Sequence, residues 1–507
     1  MGILTLFYLM NRWLCRLYCS LTDSTSSACR TGFILTYSLS VALLAIPERI
    51  SAQPVYQQLY EAHPRYREPN IATRRFKHRD VEPLLLQLKS DPKFMVTHLG
   101  ESVERRAIYD VSFGHGPTQV LLWSQMHGNE PTATMAGLDL FNFMQSDSAL
   151  ADIRQIILDS LTVHFVPMLN PDGAEVYQRR NALNIDLNRD AQLLRSPESR
   201  ILKTLRDSLN ADFGFNLHDQ SIYYAAGATR NPATISFLDP PFNQEKDTSA
   251  VRNRATRLIV LLNRALQHYI PGQVGRYDDT FEPRAFGDNM QRWGTSTVLI
   301  ESGGYAGDPE KQQIRRLNFM LLVTGLHAIA TKDYVDEPLA DYREIPRNDR
   351  RLYDLVLRNV QYEADGELRT ADLGILREEV SFRGHRDFYY RSRIQELGDL
   401  SDHYGYQELD ATGLVAVPGR VQRRTRRGLR ALKRIKAERL LRRGYTTVRV
   451  KKNLATIDSL RKTVPLDIVS KDEEPYYGLL LGNRPNFILE KDGKPRYAVV
   501  NGALVDL

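Results

Sequence analysis

The chain has 507 residues, 42% hydrophobic and 25% charged, with a net charge of +7. These values exclude a collagen-like or wholly disordered polymer and allow two or three folded units with a large core. The three cysteines, Cys15, Cys19 and Cys29, all precede residue 31, so the body of the protein has neither a disulfide framework nor a cysteine-ligated metal centre. The charge is unevenly placed. Residues 420–443 hold twelve Lys or Arg against Glu438, a local +11 against the total of +7, which leaves the remainder at −4.

Residues 1–52 read as a targeting segment. Apolar runs occupy 3–9 and 33–46, with Arg30 before the second and Ser51-Ala52-Gln53 after it. The second run has the length of a signal-peptide core and is shorter than the ~20 residues of a spanning helix. The expectation is export to the periplasm or cell exterior with cleavage near Ala52, or retention on the membrane by an uncleaved N-terminal anchor. Residues 53–96 are polar and basic with a helical patch at 81–88, a docking segment ahead of the first strand. Residues 97–113 then read as two strands around a turn at 101–104.

In the central block, the apolar run 119–123 has the character of a buried strand, and polarity changes abruptly at Ser124. His127 and Glu130 therefore fall just beyond a strand end, where open α/β sheets carry their sites. Pro131 opens a helical pattern through 144. Strand-like runs at 162–168, 213–217 and 297–300 alternate with helical runs at 197–209, 251–268 and 311–331. This alternation predicts an α/β fold over 97–335, a mixed, mostly parallel sheet flanked by helices. Asp, Glu and Pro enrichment at 334–346 marks a boundary, and 347–507 reads as a smaller β-rich accessory unit.

Four strand ends carry chemistry-bearing residues. His127-x-x-Glu130 follows the first. Asn170-Pro171-Asp172-Gly173, a strong turn, follows the second, and Arg179, Arg180, Asn188 and Arg189 lie in the loop beyond it. Paired guanidiniums in one loop suit bidentate recognition of a carboxylate. His218 ends the third strand, and Glu301, followed by Ser302-Gly303-Gly304, ends the fourth. A carboxylate closing an apolar strand costs several kcal/mol when desolvated alone, so it needs a partner or a task. Without cysteine, any zinc here must use His and carboxylate, and a mixed N/O set with an open position suits it.

This order of motifs resembles the zinc carboxypeptidase family of metallopeptidases, in its bacterial branch, over roughly 97–331; the C-terminal third carries no such resemblance. The resemblance implies one catalytic Zn2+ held by His127, Glu130 and His218, with the fourth position left to water. It implies Glu301 as general base and Arg179 as the group that polarises the scissile carbonyl, with Arg180 as the alternative one position on. Asn188 and Arg189 match the pair that binds a terminal carboxylate, and Tyr277 is matched to the tyrosine that closes over the substrate. The implied substrate is a peptide or amide with a free carboxylate, and the implied reaction is carboxypeptidase hydrolysis. An amidase or deacylase acting on cell-wall peptides or N-acylated amino acids fits the same site, and a binding protein with a vestigial site is the non-catalytic alternative. A serine hydrolase is excluded for want of a G-x-S-x-G elbow. Two departures bear on substrate preference: Asp219-Gln220 follows His218, and Asp190-Ala191-Gln192 follows Arg189. Arg284 is a candidate for selecting acidic side chains.

Within 420–443, Leu429, Leu432, Ile435 and Leu440 recur near helical spacing and predict a basic helix. Its charge density suits contact with an anionic surface such as phospholipid or a cell-envelope polymer. Nucleic acid is not expected as a partner, because no aromatic residue interleaves the run before Tyr445.

Overall fold

A computed structural model describes residues 53–147, 149–426, 436–451, 454–462 and 464–507, so the apolar N-terminal runs lie outside the described residues. The N-terminal layer contains β1 (Phe94–Glu101), β2 (Ala107–Phe113), β3 (Thr118–Ser124), β4 (Leu161–Val166), β5 (Phe213–Asp219), β6 (Tyr224–Ala226), β7 (Ile235–Leu238), β8 (Val274–Arg276) and β9 (Ser296–Ser302). All but β6 form one eight-stranded sheet in the order β1-β2-β4-β3-β5-β9-β7-β8. The central run β4-β3-β5-β9 is parallel, while β1, β2 and the β7–β9 pair add antiparallel edges. The first strand begins at Phe94, three residues inside the segment read as a docking arm.

Helices α1 (Val55–Ala62), α2 (His78–Gln87), α3 (Thr132–Gln145), α4 (Ala151–Ser160), α5 (Pro171–Val176), α6 (Pro197–Leu209), α7 (Ala250–Gln267), α8 (Phe286–Arg292) and α9 (Gln312–Thr331) accompany these strands. Side-chain alternation divides them between the two faces of the sheet. Val120 and Leu122 of β3, with Phe213, Phe215 and Leu217 of β5, pack into a core shared with α3, α7 and α9. Leu121 and Trp123 point the other way, into a smaller core with Leu202 of α6 and Met290 of α8. Burial on both faces explains why the central strands read as continuous apolar runs.

Beyond residue 346 the chain is β-rich. It contains β10 (Asn348–Arg350), β11 (Leu352–Ala364), β12 (Glu367–Phe382), β13 (Asp387–Gly398), β14 (Tyr404–Asp410), β15 (Val415–Pro418), β16 (Arg420–Arg426), β17 (Tyr445–Val450), β18 (Asp467–Ser470), β19 (Phe487–Lys491), β20 (Lys494–Val500) and β21 (Ala503–Asp506). The order β13-β12-β11-β15-β19-β20-β21, with β14 also on β11, forms a second eight-stranded sheet. β10 pairs with β6 and so joins the start of this region to the loop after β5. Val55–Leu507 forms one compact unit. No helix among the described residues is long and apolar enough to cross a membrane.

The basic stretch, expected to be a helix over 420–443, begins instead as a strand. Arg420–Arg426 is a strand that pairs in parallel with β17, and among the described residues of this stretch Ala437–Leu441 is helical (α10). β-branched Val421 and Thr425 beside a waiting sheet edge favour a strand over 420–426, because strand preference follows packing context. Residues 427–435, with Leu429, Leu432 and Ile435, lie outside the described residues. Leu440 and Leu441 bury against Val448 and Ile468. A further helix, α11 (Leu454–Arg461), lies between β17 and β18.

Candidate active site

Three loops and two strands converge at the C-terminal ends of the parallel strands. β3 ends at Ser124, and the chain turns through His127 and Glu130 before α3 begins. The glycine between them is required by sterics: a Cβ on Gly128 would lie 2.0 Å from the Gly173 carbonyl carbon, so the H-G-N-E and N-P-D-G turns pack backbone to backbone. Asn170 caps α5 by accepting from Gly173 N at 2.9 Å and donates from Nδ2 to Met126 O and Arg179 O. The turn thereby positions the loop that carries Arg179.

His127 Nδ1 lies 2.8 Å from Glu130 Oε1 and 3.2 Å from His218 Nδ1, and His218 Nδ1 lies 2.7 Å from Glu130 Oε2. All three residues are buried. His127 Nε2 donates to Asp186 Oδ1 at 3.1 Å, which leaves the Nδ1 lone pair facing the cluster. Two imidazole Nδ1 atoms and a carboxylate therefore meet at one point. Their spacing is close to the ~3.3 Å between ligands of a tetrahedral zinc with ~2.0–2.1 Å bonds, so the donor set fits that ion. Burial would push the Glu130 carboxyl up, but His127 and His218 outweigh it and hold it well below the usual range.

Glu301 sits beside His218 on the neighbouring strand, paired residue to residue in the β5–β9 ladder. Period-2 alternation puts Asn216, His218, Leu299 and Glu301 on one face, and all four line a cleft of about 450 Å3. Burial, with Glu130 and Asp219 adding negative charge, raises the Glu301 carboxyl well above its ordinary value, and its Oε2 is buried without a hydrogen-bond partner among the described residues. Asp219 is engaged elsewhere. It accepts from Thr132 Oγ1 at 2.6 Å and Lys311 Nζ at 3.0 Å, and its backbone N–H donates to Glu130 Oε2.

Arg179, Asn188, Arg189 and Tyr277 line the same cleft. Arg179 Nη1 lies 3.0 Å from His127 Nδ1 and 3.3 Å from Glu130 Oε1, while its Nε donates to Asp186 Oδ2 at 3.0 Å. Arg189 pairs with Glu282 at 3.1 Å and is 39% exposed at the side chain, free to exchange that partner for another carboxylate. Asn188 Oδ1 accepts from Phe286 N and anchors the start of α8. The charge of Glu301 and burial push the Tyr277 phenol up, which keeps it a neutral donor. Arg180 instead reaches back to Asn184 O, and Arg284 folds onto Glu282.

Four contributors were not singled out from the sequence. Asp186, which orients both His127 and Arg179, lies two residues before Asn188 and caps the short turn there by accepting from Asn188 N. Asp288 sits buried in the cleft wall. Arg347 and Asn348 reach the cleft from beyond the boundary drawn near 334–346. The unusual Asp190 has a structural task, accepting from Arg195 N and Ser196 N ahead of α6.

Comparison with known proteins agrees with this geometry. The zinc carboxypeptidase family matches residues 83–270, a span that includes the three metal-binding candidates and stops short of Tyr277 and Glu301. Carboxypeptidase SOL1 of Arabidopsis thaliana is 36% identical over 93 residues, 16% of this chain and 19% of the relative. Carboxypeptidase Z of Homo sapiens is 30% identical over 126 residues, 21% of this chain and 19% of the relative. The chain thus spans about a fifth of the length of these curated relatives. A metallo-carboxypeptidase structure from Burkholderia cenocepacia is 18% identical with a TM-score of 0.41, covering 52% of this chain and 69% of that one. Residues 83–270 are thus similar to the zinc carboxypeptidase family, whose metal is zinc.

Proposed function

We propose that this protein is a metallocarboxypeptidase that hydrolyses the peptide bond next to a free C-terminal carboxylate. The observation that carries the reading is the convergence of His127 Nδ1, Glu130 and His218 Nδ1 beside an unpartnered Glu301 carboxyl oxygen. His127, Glu130 and His218 would hold the ion, with Asp186 fixing the His127 tautomer. Bound zinc supplies Lewis-acid polarisation of a carbonyl and brings the pKa of a water towards ~7.

The chain's own groups do the remaining work. Arg189, with Asn188 beside it, offers a guanidinium to the terminal carboxylate, a charge-assisted fork suited to two oxygens. Arg179 presents its guanidinium over the His127–Glu130 side, where it stabilises negative charge developing on the scissile carbonyl oxygen. Glu301 takes a proton from the attacking water as the new C–O bond forms, and returns it to the amine nitrogen as the C–N bond breaks. Tyr277, next to Glu301, donates a hydrogen bond to the bound substrate. The apolar segment 33–46 supports an exported location for this activity.

Metal analysis of the purified protein, paired with detection of amino acids released from a mixed peptide panel, tests the reading. Near-stoichiometric zinc with C-terminal release is expected. Zinc with release only from N-acylated amino acids or cell-wall peptides would replace it with the amidase reading. A protein that takes up no zinc would overturn it.

A further inference from the structure

His218, Glu301, Ser236 and Gly275 form one row across the sheet, paired residue to residue from β5 through β9 and β7 to β8. Their neighbours along the strands, Leu217, Ile300, Phe237 and Val274, point into the larger core, so the row faces the other way, towards the cleft. The last position of the row carries no side chain. A Cβ on Gly275 would lie 2.0 Å from Asn348 Oδ1 and 2.8 Å from Ser236 Oγ, so the Asn348 amide fills the space above it. Asn348 comes from the β-rich region. The β10–β6 pairing sets it opposite Ala226, and the adjoining Pro346 O accepts from Arg276 N at 2.7 Å.

Three side chains close a ring there. Gln220 Nε2 donates to Ser236 Oγ at 2.8 Å, Ser236 Oγ to Asn348 Oδ1 at 2.8 Å, and Asn348 Nδ2 to Gln220 Oε1 at 2.6 Å. Gln220 sets the direction of the ring. Its Nε2 also donates to Ala233 O at 2.8 Å, and a carbonyl only accepts, so Oε1 must face Asn348. Each member gives one hydrogen bond to the next, an arrangement in which the bonds polarise one another. Gln220 and Ser236 are buried. Without Asn348, Gln220 Oε1 and the Ser236 hydroxyl hydrogen would be left buried and unsatisfied, which costs more than a hydrogen bond contributes net.

The ring sits among the strand ends that carry the reacting groups. Gln220 follows His218 by two residues, and its backbone N–H donates to Ser302 O, next to Glu301, at 3.0 Å. Gly303 N donates to Thr234 O at 2.9 Å, two residues before Ser236. Backbone bonds thus join the ends of β5, β9 and β7, and Asn348 ties that group to the β-rich region. Resting on the carboxypeptidase reading above, we propose that Asn348 is a positioning residue. Through Gln220 and Ser236 it keeps the strand ends bearing His218 and Glu301 in the relative placement the reaction requires. The β-rich region thus supplies part of the site's framework.

Asn348→Leu keeps the branched shape above Gly275 and removes both hydrogen bonds, while Gly275→Ala crowds the ring from outside. In the full chain each should lower kcat for C-terminal release about ten-fold or more, with KM and zinc content within about two-fold of the parent, since a small misplacement of reacting groups costs up to about 10²-fold. Ser236→Ala added to Asn348→Leu should lose no more than the worse single variant, because the ring acts as a unit. Amide hydrogen exchange needs no activity. In Asn348→Leu it should quicken at Gln220 and Gly303 and stay as in the parent along β3. Unchanged exchange at both amides would overturn the proposal whether or not the protein hydrolyses peptides. So would an unchanged kcat in Asn348→Leu, the outcome of a space-filling role, or additive losses in the double variant. An inactive parent in which exchange still quickens would sink the carboxypeptidase reading alone and support the hold of Asn348 on the strand ends.

Discussion

His218 and Glu301 occupy paired positions on adjacent parallel strands, so a metal-ligand candidate and a base candidate are held side by side by the β5–β9 ladder. Both project from one face of the sheet into the same cleft. Their separation is therefore set by backbone hydrogen bonds in the buried centre of the domain, where local opening costs most. Such rigidity keeps the two groups aligned with little reorganisation during reaction.

In the proposed mechanism, Glu301→Gln removes the proton acceptor while keeping side-chain volume. We expect kcat to fall by about 10²–10⁴-fold, with zinc content unchanged. Steady-state kinetics alongside metal analysis separate the two effects, and a variant that lost its zinc as well would place Glu301 in metal retention instead.

Asp186→Ala removes the acceptor that orients His127 and the partner of Arg179 Nε. Loss of such an orienting group weakens metal affinity by about 10–100-fold. Chelator competition reads this directly, and unchanged zinc affinity would count against the orienting role.

Arg189→Ala should raise KM for peptides ending in a free carboxylate by about ten-fold or more, since a charge-assisted hydrogen bond is worth about 1.5–3 kcal/mol. C-terminally amidated peptides, which lack the partner, should be slow for both proteins and show no further loss. Equal penalties on the two series would contradict carboxylate recognition at this position.

Burial pushes the Asp288 carboxyl up to about 7 from an ordinary value near 3.8. Its protonated form is thus favoured in the folded chain, and the stability this contributes is complete below about pH 4 and lost as pH rises through 7. Asp288→Asn should therefore gain stability over the parent protein at pH 8 and little at pH 4, by at most about 4 kcal/mol at about 1.36 kcal/mol per pH unit. Thermal denaturation at the two pH values checks the sign.

Glu379 joins Arg74 and Arg75, both buried, to the β12 strand, and the Arg75 guanidinium lies 3.8 Å from the Tyr177 ring centroid, two residues before Arg179. Glu379→Ala leaves two poorly solvated guanidiniums unpaired, so we expect a loss of about 1–3 kcal/mol in unfolding free energy. Denaturant titration measures it, and a neutral result would show that the β-rich region needs no ionic tie to the N-terminal layer.

Much of this architecture is legible in the residues themselves. Continuous apolar runs such as 119–123 and 213–217 mark strands buried on both faces, and the polarity change after each one locates the strand end. His127, Glu130, His218 and Glu301 could be found for that reason: each lies at or just past such a change. Local chemistry also determined the Asn170 turn and the starts of the helices. What the sequence could not specify was anything decided by packing between distant segments. Asp186 looks like any loop acid until His127 and Arg179 are brought to it across the fold. Arg347 and Asn348 lie past an apparent domain boundary, yet pairing of β10 with β6 returns them to the cleft. The basic stretch carries helical spacing, but the edge of β17 recruits its first residues as a strand. In each case a short-range pattern was overruled by long-range pairing, because ladder hydrogen bonds and burial against a partner depend on neighbours that sequence order does not reveal.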